Sequence, residues 1–151
     1  QELMADIREA GARIRLISDG DLSAGIAAAV SGTGVHAVMG SGGAPEGVLA
    51  AGALRCVGGQ MQGRLILDTE AKRERSLKMG IKDPKKKYDM MELASGDVIV
   101  CATGVTDGAL LKGVKFGPEI IQTETLIYRS VTGTVRRIAA EHREMGKFRL
   151  D

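Results

Sequence analysis

Two aspartates flank a glycine in the segment Asp19-Gly20-Asp21, which lies between an apolar stretch and an alanine-rich stretch. Carboxylates on either side of a glycine can leave one turn in different directions. They can accept hydrogen bonds from ligand hydroxyls, or they can cap the helix that follows. Capping explains one of the two aspartates, and the second indicates a polyol ligand. From these residues alone, both interpretations stay open.

A second candidate is the glycine-rich stretch 40–47, where absent side chains let a phosphoryl or sugar group approach the backbone. Pro45 fits the first turn of a helix, and the dipole of that helix favours an anion. Glu46 in the same turn can bind a hard divalent cation, or it can simply cap the helix. The stretch matches neither the phosphate-binding loop of nucleoside triphosphatases nor the dinucleotide fingerprint. It therefore indicates only an anionic ligand.

A third glycine-bearing loop covers residues 103–108. Asp107 precedes a glycine there, and a turn role is favoured for it. Thr103 and Thr106 can reach a phosphate or satisfy amides of the loop. Each of the three loops follows a predicted strand, and ligands of α/β sheets bind at the carboxyl ends of strands. We expect the three loops to share one cleft.

The remaining polar residues indicate structural roles. His36 and His142 have no nucleophile motif around them, so we interpret both as structural. For Arg136 and Arg137, which alternate between two faces of a predicted strand, we expect a surface or interface salt bridge. The basic run 82–87 is interpreted as a solvated connector.

The two cysteines, Cys56 and Cys101, stand far apart in apolar runs. This spacing contains no metal-binding or redox pair. We expect both thiols to be reduced and buried.

These residues need elements to position them. Strands at 13–18 and 35–39 with a helix at 22–30 between them predict a β-α-β unit. The sequence also predicts two more helices, one from Pro45 to Val57 and one at 70–79. Further predicted strands lie at 64–67 and 97–102, and an antiparallel pair of tail strands lies at 120–128 and 134–138. We expect an α/β fold with a mixed sheet flanked by helices.

Composition limits the classes of protein that fit. The 151 residues, 44% of them hydrophobic, suit a single domain over 1–151. With 21 basic and 19 acidic residues and 3% aromatics, no nucleic-acid partner is expected. No apolar run has the roughly 20 residues of a membrane span, and the start is not a signal peptide. We expect no membrane association and a cytoplasmic location.

Three strings, in this order and spacing, resemble class II (bacterial) fructose-1,6-bisphosphatases: ISDGD at 17–21, GSGGAPEGVLAA at 40–51 and ATGVTDG at 102–108. LRCVGG at 54–59, MGI at 79–81 and SVTGTVR at 130–136 extend the resemblance over nearly the whole chain. It implies the fold shared with inositol monophosphatases, of which this chain resembles the C-terminal domain. It also implies an Mg²⁺- or Mn²⁺-dependent enzyme of gluconeogenesis that hydrolyses the 1-phosphate of fructose 1,6-bisphosphate to fructose 6-phosphate.

The resemblance further implies roles for individual residues. By motif position, Glu46 resembles a metal ligand. Asp19, Gly20 and Asp21 resemble substrate contacts, and Gly43 resembles a further backbone contact. A homo-oligomer of the complete chain is also implied.

The chain departs from the family pattern because the other acidic metal ligands, the catalytic threonine region and a basic phosphate-contacting segment belong upstream of Gln1. We therefore expect a C-terminal half with no catalytic residue of its own, inactive until the other half is supplied. Three alternatives stay open: a dual fructose-1,6-/sedoheptulose-1,7-bisphosphatase, a non-catalytic sugar-phosphate binding module, and an oligomerisation domain.

Overall fold

The structure is a computed structural model that describes residues 1–144 and residue 146. Its helices are α1 (Glu2–Glu9), α2 (Asp21–Ala29), α3 (Ala44–Val57), α4 (Glu70–Lys78) and α5 (Met90–Leu93). Its strands are β1 (Gln62–Arg64), β2 (Lys87–Asp89), β3 (Ile99–Thr103), β4 (Lys115–Phe116), β5 (Ile121–Arg129) and β6 (Thr134–His142). The predicted helices and the predicted tail strands are confirmed, as is the α/β class.

The strands form two antiparallel sheets. β1 pairs with β2 in a two-stranded sheet. In the larger sheet, β5 pairs with β3 and β4 and also with β6. A tight turn at 130–133 joins β5 to β6, and Gly133 adopts a φ of 57° there. The register places Leu126 opposite Arg137.

The predicted mixed sheet and the β-α-β unit are wrong for this structure, because every strand pairing in the described part of the chain is antiparallel. Residues 13–18 and 35–39 flank α2 as predicted, but they form no ladder. A strand exists only where a second strand accepts its hydrogen bonds. Leu16, which is 72% exposed, shows that the first of these segments has no cover.

The main core lies between α3 and the larger sheet. Small residues on α3 are buried, and Gly52 lets the helix approach closely, since a Cβ there would lie 3.3 Å from Val98 Cγ1. Ile26 from α2 and Leu126 and Tyr128 from β5 complete the cluster. α3 ends at Gly58, which adopts a φ of 73° that suits glycine.

Arg55 ties α3 to the segment after α5. Its Nη1 atom donates hydrogen bonds to the carbonyl oxygens of Ala94 and Gly96. Because this arginine belongs to the last turn of α3, the helix and the approach to β3 are held together.

The sequence predicts a solvated connector for the basic run 82–87, and all of its residues are exposed in the structure. Lys86 pairs there with Glu92 at 2.5 Å. Among the helices of the described residues, none combines the length and the apolar character needed to cross a bilayer.

Candidate functional site

The first candidate loop leads into α2. Gly20 is the N-cap of this helix, with a φ of 78°, and Ser23 Oγ donates a 2.7 Å hydrogen bond to its carbonyl oxygen. Asp21 is the first helical residue, and no side-chain capping bond is made. Within residues 1–144 and 146, the exposed carboxylates of Asp19 and Asp21 have no hydrogen-bond or ion-pair partner. Capping therefore does not account for either aspartate.

The second loop leads into α3. Gly43 is the N-cap of this helix, Pro45 is its second residue, and Glu46 follows in the first turn. The Glu46 side chain folds back over Gly43, so closely that a Cβ at Gly43 would collide with Glu46 Oε2. Glu46 is exposed, and the described part of the chain offers its carboxylate no partner. A carboxylate at a helix start is stabilised as an anion by the helix dipole.

The first two loops meet. Asp21 Oδ2 lies 3.2 Å from the point where a Cβ on Gly42 would stand. A larger residue at position 42 would push this carboxylate away, so the glycine permits the approach. The carboxylate of Asp21 thus lies beside Gly42, and the carboxylate of Glu46 lies beside the next residue, Gly43, at the start of α3.

The third loop stands against the first. A cavity of about 220 Å³ is lined by Gly20, Leu22 and Ser23 and also by Thr106 and Gly108. The three loops predicted to share a cleft are therefore neighbours around the start of α2.

The sequence matches a known protein family and curated relatives. The sequence model for "Bacterial fructose-1,6-bisphosphatase, glpX-encoded" matches residues 1–142. The chain belongs to this family. A relative from Synechococcus sp. (strain JA-3-3Ab) is 48% identical over 159 residues, which cover 97% of this chain and 46% of the relative. A relative from Synechocystis sp. (strain ATCC 27184 / PCC 6803 / Kazusa) is 46% identical over 155 residues, covering 94% and 45%.

Both relatives are named D-fructose 1,6-bisphosphatase class 2/sedoheptulose 1,7-bisphosphatase. The chain spans about half the length of these curated relatives.

This chain has few side chains near the site that could bind a metal ion. Carboxylate oxygens such as those of Glu46 and Asp21 suit hard divalent cations. However, no group of three or more His, Cys, Asp and Glu side chains that could hold a metal occurs among residues 1–144 and 146. Carboxylate oxygens are suitable ligands for Mg²⁺ or Mn²⁺, but the described residues bring too few of them together to hold such an ion.

Other candidate residues of this chain have structural roles. Asp107 Oδ1 accepts a 2.8 Å hydrogen bond from the Gly113 amide, six residues on, and so closes the loop instead of a tight turn. Thr103 Oγ1 lies 2.8 Å from Thr125 Oγ1 across the sheet. His142 Nε2 lies 2.9 Å from Thr123 Oγ1, in accord with a structural histidine.

Sequence reasoning missed Glu124 as the partner of Arg137. Arg137 Nη1 lies 2.6 Å from Glu124 Oε1, which confirms that an arginine of this pair forms a salt bridge. The backbone amide of Lys112, and next the Arg137 guanidinium, lower the pKa of Glu124. The sequence does contain a signal for the position of Glu124. It lies two residues before the inward-facing Leu126 in a strand, and residues i and i+2 of a strand share a face.

Proposed function

We propose that this chain supplies part of the substrate cradle and one metal ligand of a class II fructose-1,6-bisphosphatase. The complete enzyme hydrolyses the 1-phosphate of fructose 1,6-bisphosphate to fructose 6-phosphate and phosphate in gluconeogenesis. One observation carries the proposal: the exposed carboxylates of Asp21 and Glu46 lie beside the adjacent residues Gly42 and Gly43 at the start of α3, with no partner in the described part of the chain.

The proposed roles follow from the chemistry of each group. Asp19 and Asp21 accept hydrogen bonds from sugar hydroxyls, because ionised carboxylates are acceptors only. Gly20 and Gly43 let the ligand approach the backbone. Glu46 gives one oxygen ligand to Mg²⁺ or Mn²⁺, and that metal supplies charge stabilisation at the phosphoryl group.

Activity requires a second half, supplied in cis or as another chain. One glutamate cannot hold a divalent cation against water, and the family relatives are twice as long as this chain. The chain exposes 11337 Å², whereas a compact monomer of its 15.9 kDa exposes roughly 7400 Å². The chain therefore exposes surface that a second half can cover.

We also propose a fold family and an assembly for the chain. Residues 1–151 form one domain that corresponds to the C-terminal part of the inositol monophosphatase-like sugar phosphatase fold. The complete chain is a cytoplasmic homo-oligomer.

A second candidate is a dual fructose-1,6-/sedoheptulose-1,7-bisphosphatase. The names of the relatives from Synechococcus and Synechocystis favour it, since both name the two sugars. Comparing the kcat/KM for the two bisphosphates in the assembled enzyme decides between the candidates.

The test joins these 151 residues to the upstream half of the Synechococcus relative and follows phosphate release against Mn²⁺ and Mg²⁺ concentration. Glu46→Gln removes a charged ligand, so half-maximal activity needs at least about tenfold more metal. Glu74→Gln, an exposed control on α4, leaves the metal dependence unchanged. If Glu46→Gln behaves like Glu74→Gln, the metal role is wrong. Tight sugar bisphosphate binding without turnover would favour the non-catalytic binding module.

A further inference from the structure

Residues 104–113 form a loop, here called the 104–113 loop, between β3 and β4. The Gly104 amide donates a 3.0 Å hydrogen bond to the Glu124 carbonyl oxygen, and the Val114 amide donates a 3.1 Å bond to the Val105 carbonyl oxygen. The loop folds tightly on itself, because a Cβ at Gly104 would collide with the Lys112 carbonyl oxygen. Its path is therefore closely specified at both ends.

The Glu124 side chain holds the middle of this loop. Glu124 Oε2 accepts a 2.6 Å hydrogen bond from the Lys112 amide, while Oε1 accepts a 2.6 Å bond from Arg137 Nη1. The same Arg137 Nη1 donates a 3.1 Å hydrogen bond to the Leu110 carbonyl oxygen. The pair therefore binds an amide and a carbonyl two residues apart on the loop.

This pair differs from an ordinary surface salt bridge. Exposed pairs contribute little to stability, because water solvates both partners after they separate. The Glu124 side chain is only 16% exposed, and it accepts a backbone hydrogen bond as well as an ion pair. Removing it leaves the Lys112 amide and one bond of the Arg137 guanidinium without their acceptor.

The loop also lines the cavity beside the Asp19-Gly20-Asp21 turn. Leu111 is buried in the core. Thr106 and Gly108 line the cavity of about 220 Å³ that Gly20 and Ser23 also line. A displaced loop would open the space beside the turn that carries Asp19 and Asp21.

We infer that Glu124, held by Arg137, is a positioning residue: it fixes the 104–113 loop against the start of α2 and so keeps the Asp19-Gly20-Asp21 turn in its binding geometry. The inference deepens the proposed function and rests on it, since the turn matters only if it contacts the sugar bisphosphate. Glu124 acts through the loop, and the ligand class is the sugar bisphosphate itself.

The first experiment tests the contact itself and needs no activity. Amide hydrogen exchange is measured in the 151-residue chain for Glu124→Ala and for the control Glu119→Ala, an exposed residue in the turn before β5. Exchange of the Lys112 amide accelerates at least about tenfold in Glu124→Ala, whereas the β5–β6 ladder keeps its protection. Unchanged Lys112 exchange would overturn the inference.

The second experiment tests the effect on binding in the assembled bisphosphatase. Glu124→Ala raises the KM for fructose 1,6-bisphosphate at least about fivefold and leaves kcat within about twofold, as expected when a binding contact is weakened. Arg137→Ala does the same, and Arg137→Lys restores part of the KM. A purely structural role would lower the amount of folded enzyme without moving KM.

The two failures are distinguishable. If Asp21→Asn raises KM but Glu124→Ala matches Glu119→Ala, the positioning role is wrong and the proposed function stands. If neither Asp21→Asn nor Glu46→Gln changes turnover, the proposed function is wrong, while the exchange experiment still decides whether Glu124 holds the loop.

Discussion

Carboxylates that border the loops of this chain fall into two kinds. Asp107 and Glu124 accept backbone hydrogen bonds that close or hold a loop. Asp21 and Glu46 have no partner within residues 1–144 and 146, although they lie at helix starts. A carboxylate that holds a loop is occupied by the protein, whereas one without a protein partner is available to a ligand.

The cysteines show the same dependence on local surroundings. Cys56 is buried in α3, and its Sγ donates a hydrogen bond to the Gly52 carbonyl oxygen at 3.3 Å. Burial raises the pKa of the Cys56 thiol, against an opposing effect of the Arg55 charge. Cys101 is exposed, so the prediction that both thiols are buried is wrong for it. Its neighbours Val100 and Ala102 point toward the core, and alternation along β3 turns Cys101 to the other face.

Thiol labelling checks this contrast. At neutral pH, a thiol reagent should modify Cys101 at least about a hundredfold faster than Cys56, because a buried thiol with a raised pKa is rarely an accessible thiolate. Cys101→Ser should remove the fast phase and Cys56→Ser the slow one. Two fast thiols in the folded chain would contradict the structure.

At the scale of elements, α3 is the part that connects site and core. Its first turn carries Glu46, its middle packs on β3, and its last turn carries Arg55. The two carbonyl contacts of Arg55 hold the segment that leads into β3. The position of Glu46 therefore depends on bonds made at the far end of the same helix.

Truncating this arginine measures the connection. Arg55→Ala should lower the free energy of unfolding by about 2–3 kcal/mol, because hydrogen bonds to a charged donor are lost and two carbonyl groups lose their partner. Arg75→Ala, on the exposed surface of α4, should change it by less than about 0.5 kcal/mol. Urea unfolding of both variants gives the comparison, and equal effects would refute the role of Arg55.

Helices were predictable from the sequence because their hydrogen bonds and stop signals are local. Pro45 and Gly58 mark the limits of α3, and both lie where their chemistry predicts. The antiparallel tail strands were predictable for the same reason, since one short turn joins them. Residues 13–18 and 35–39 have equally good strand patterns, but a strand needs a partner that its own sequence does not specify.

The candidate site was only partly predictable. Glycine-rich loops after apolar segments pointed to Asp19, Asp21 and Glu46, and the structure brings the Asp21 and Glu46 loops together at Gly42. The side-chain link from Glu124 to Lys112 joins positions twelve residues apart. Such a contact depends on the path of the 104–113 loop, which no local pattern of residues reveals.

At the scale of the whole molecule, surface and site are incomplete in the same way. The chain exposes far more surface than a compact monomer of its mass, the carboxylates at the start of α3 have no partner in the described part, and the curated relatives are about twice as long. A second half that covers this surface and adds metal ligands, as the proposed function requires, accounts for all three observations.

Phosphate release from fructose 1,6-bisphosphate tests this account most directly. The 151-residue chain is assayed alone with Mn²⁺ or Mg²⁺, and again after mixing with a separately produced upstream half of the Synechococcus relative. We expect no release by the chain alone, release by the mixture, and loss of that release in the Asp21→Asn/Glu46→Gln double variant. Turnover by the isolated chain, or full activity of the double variant in the mixture, would contradict the account.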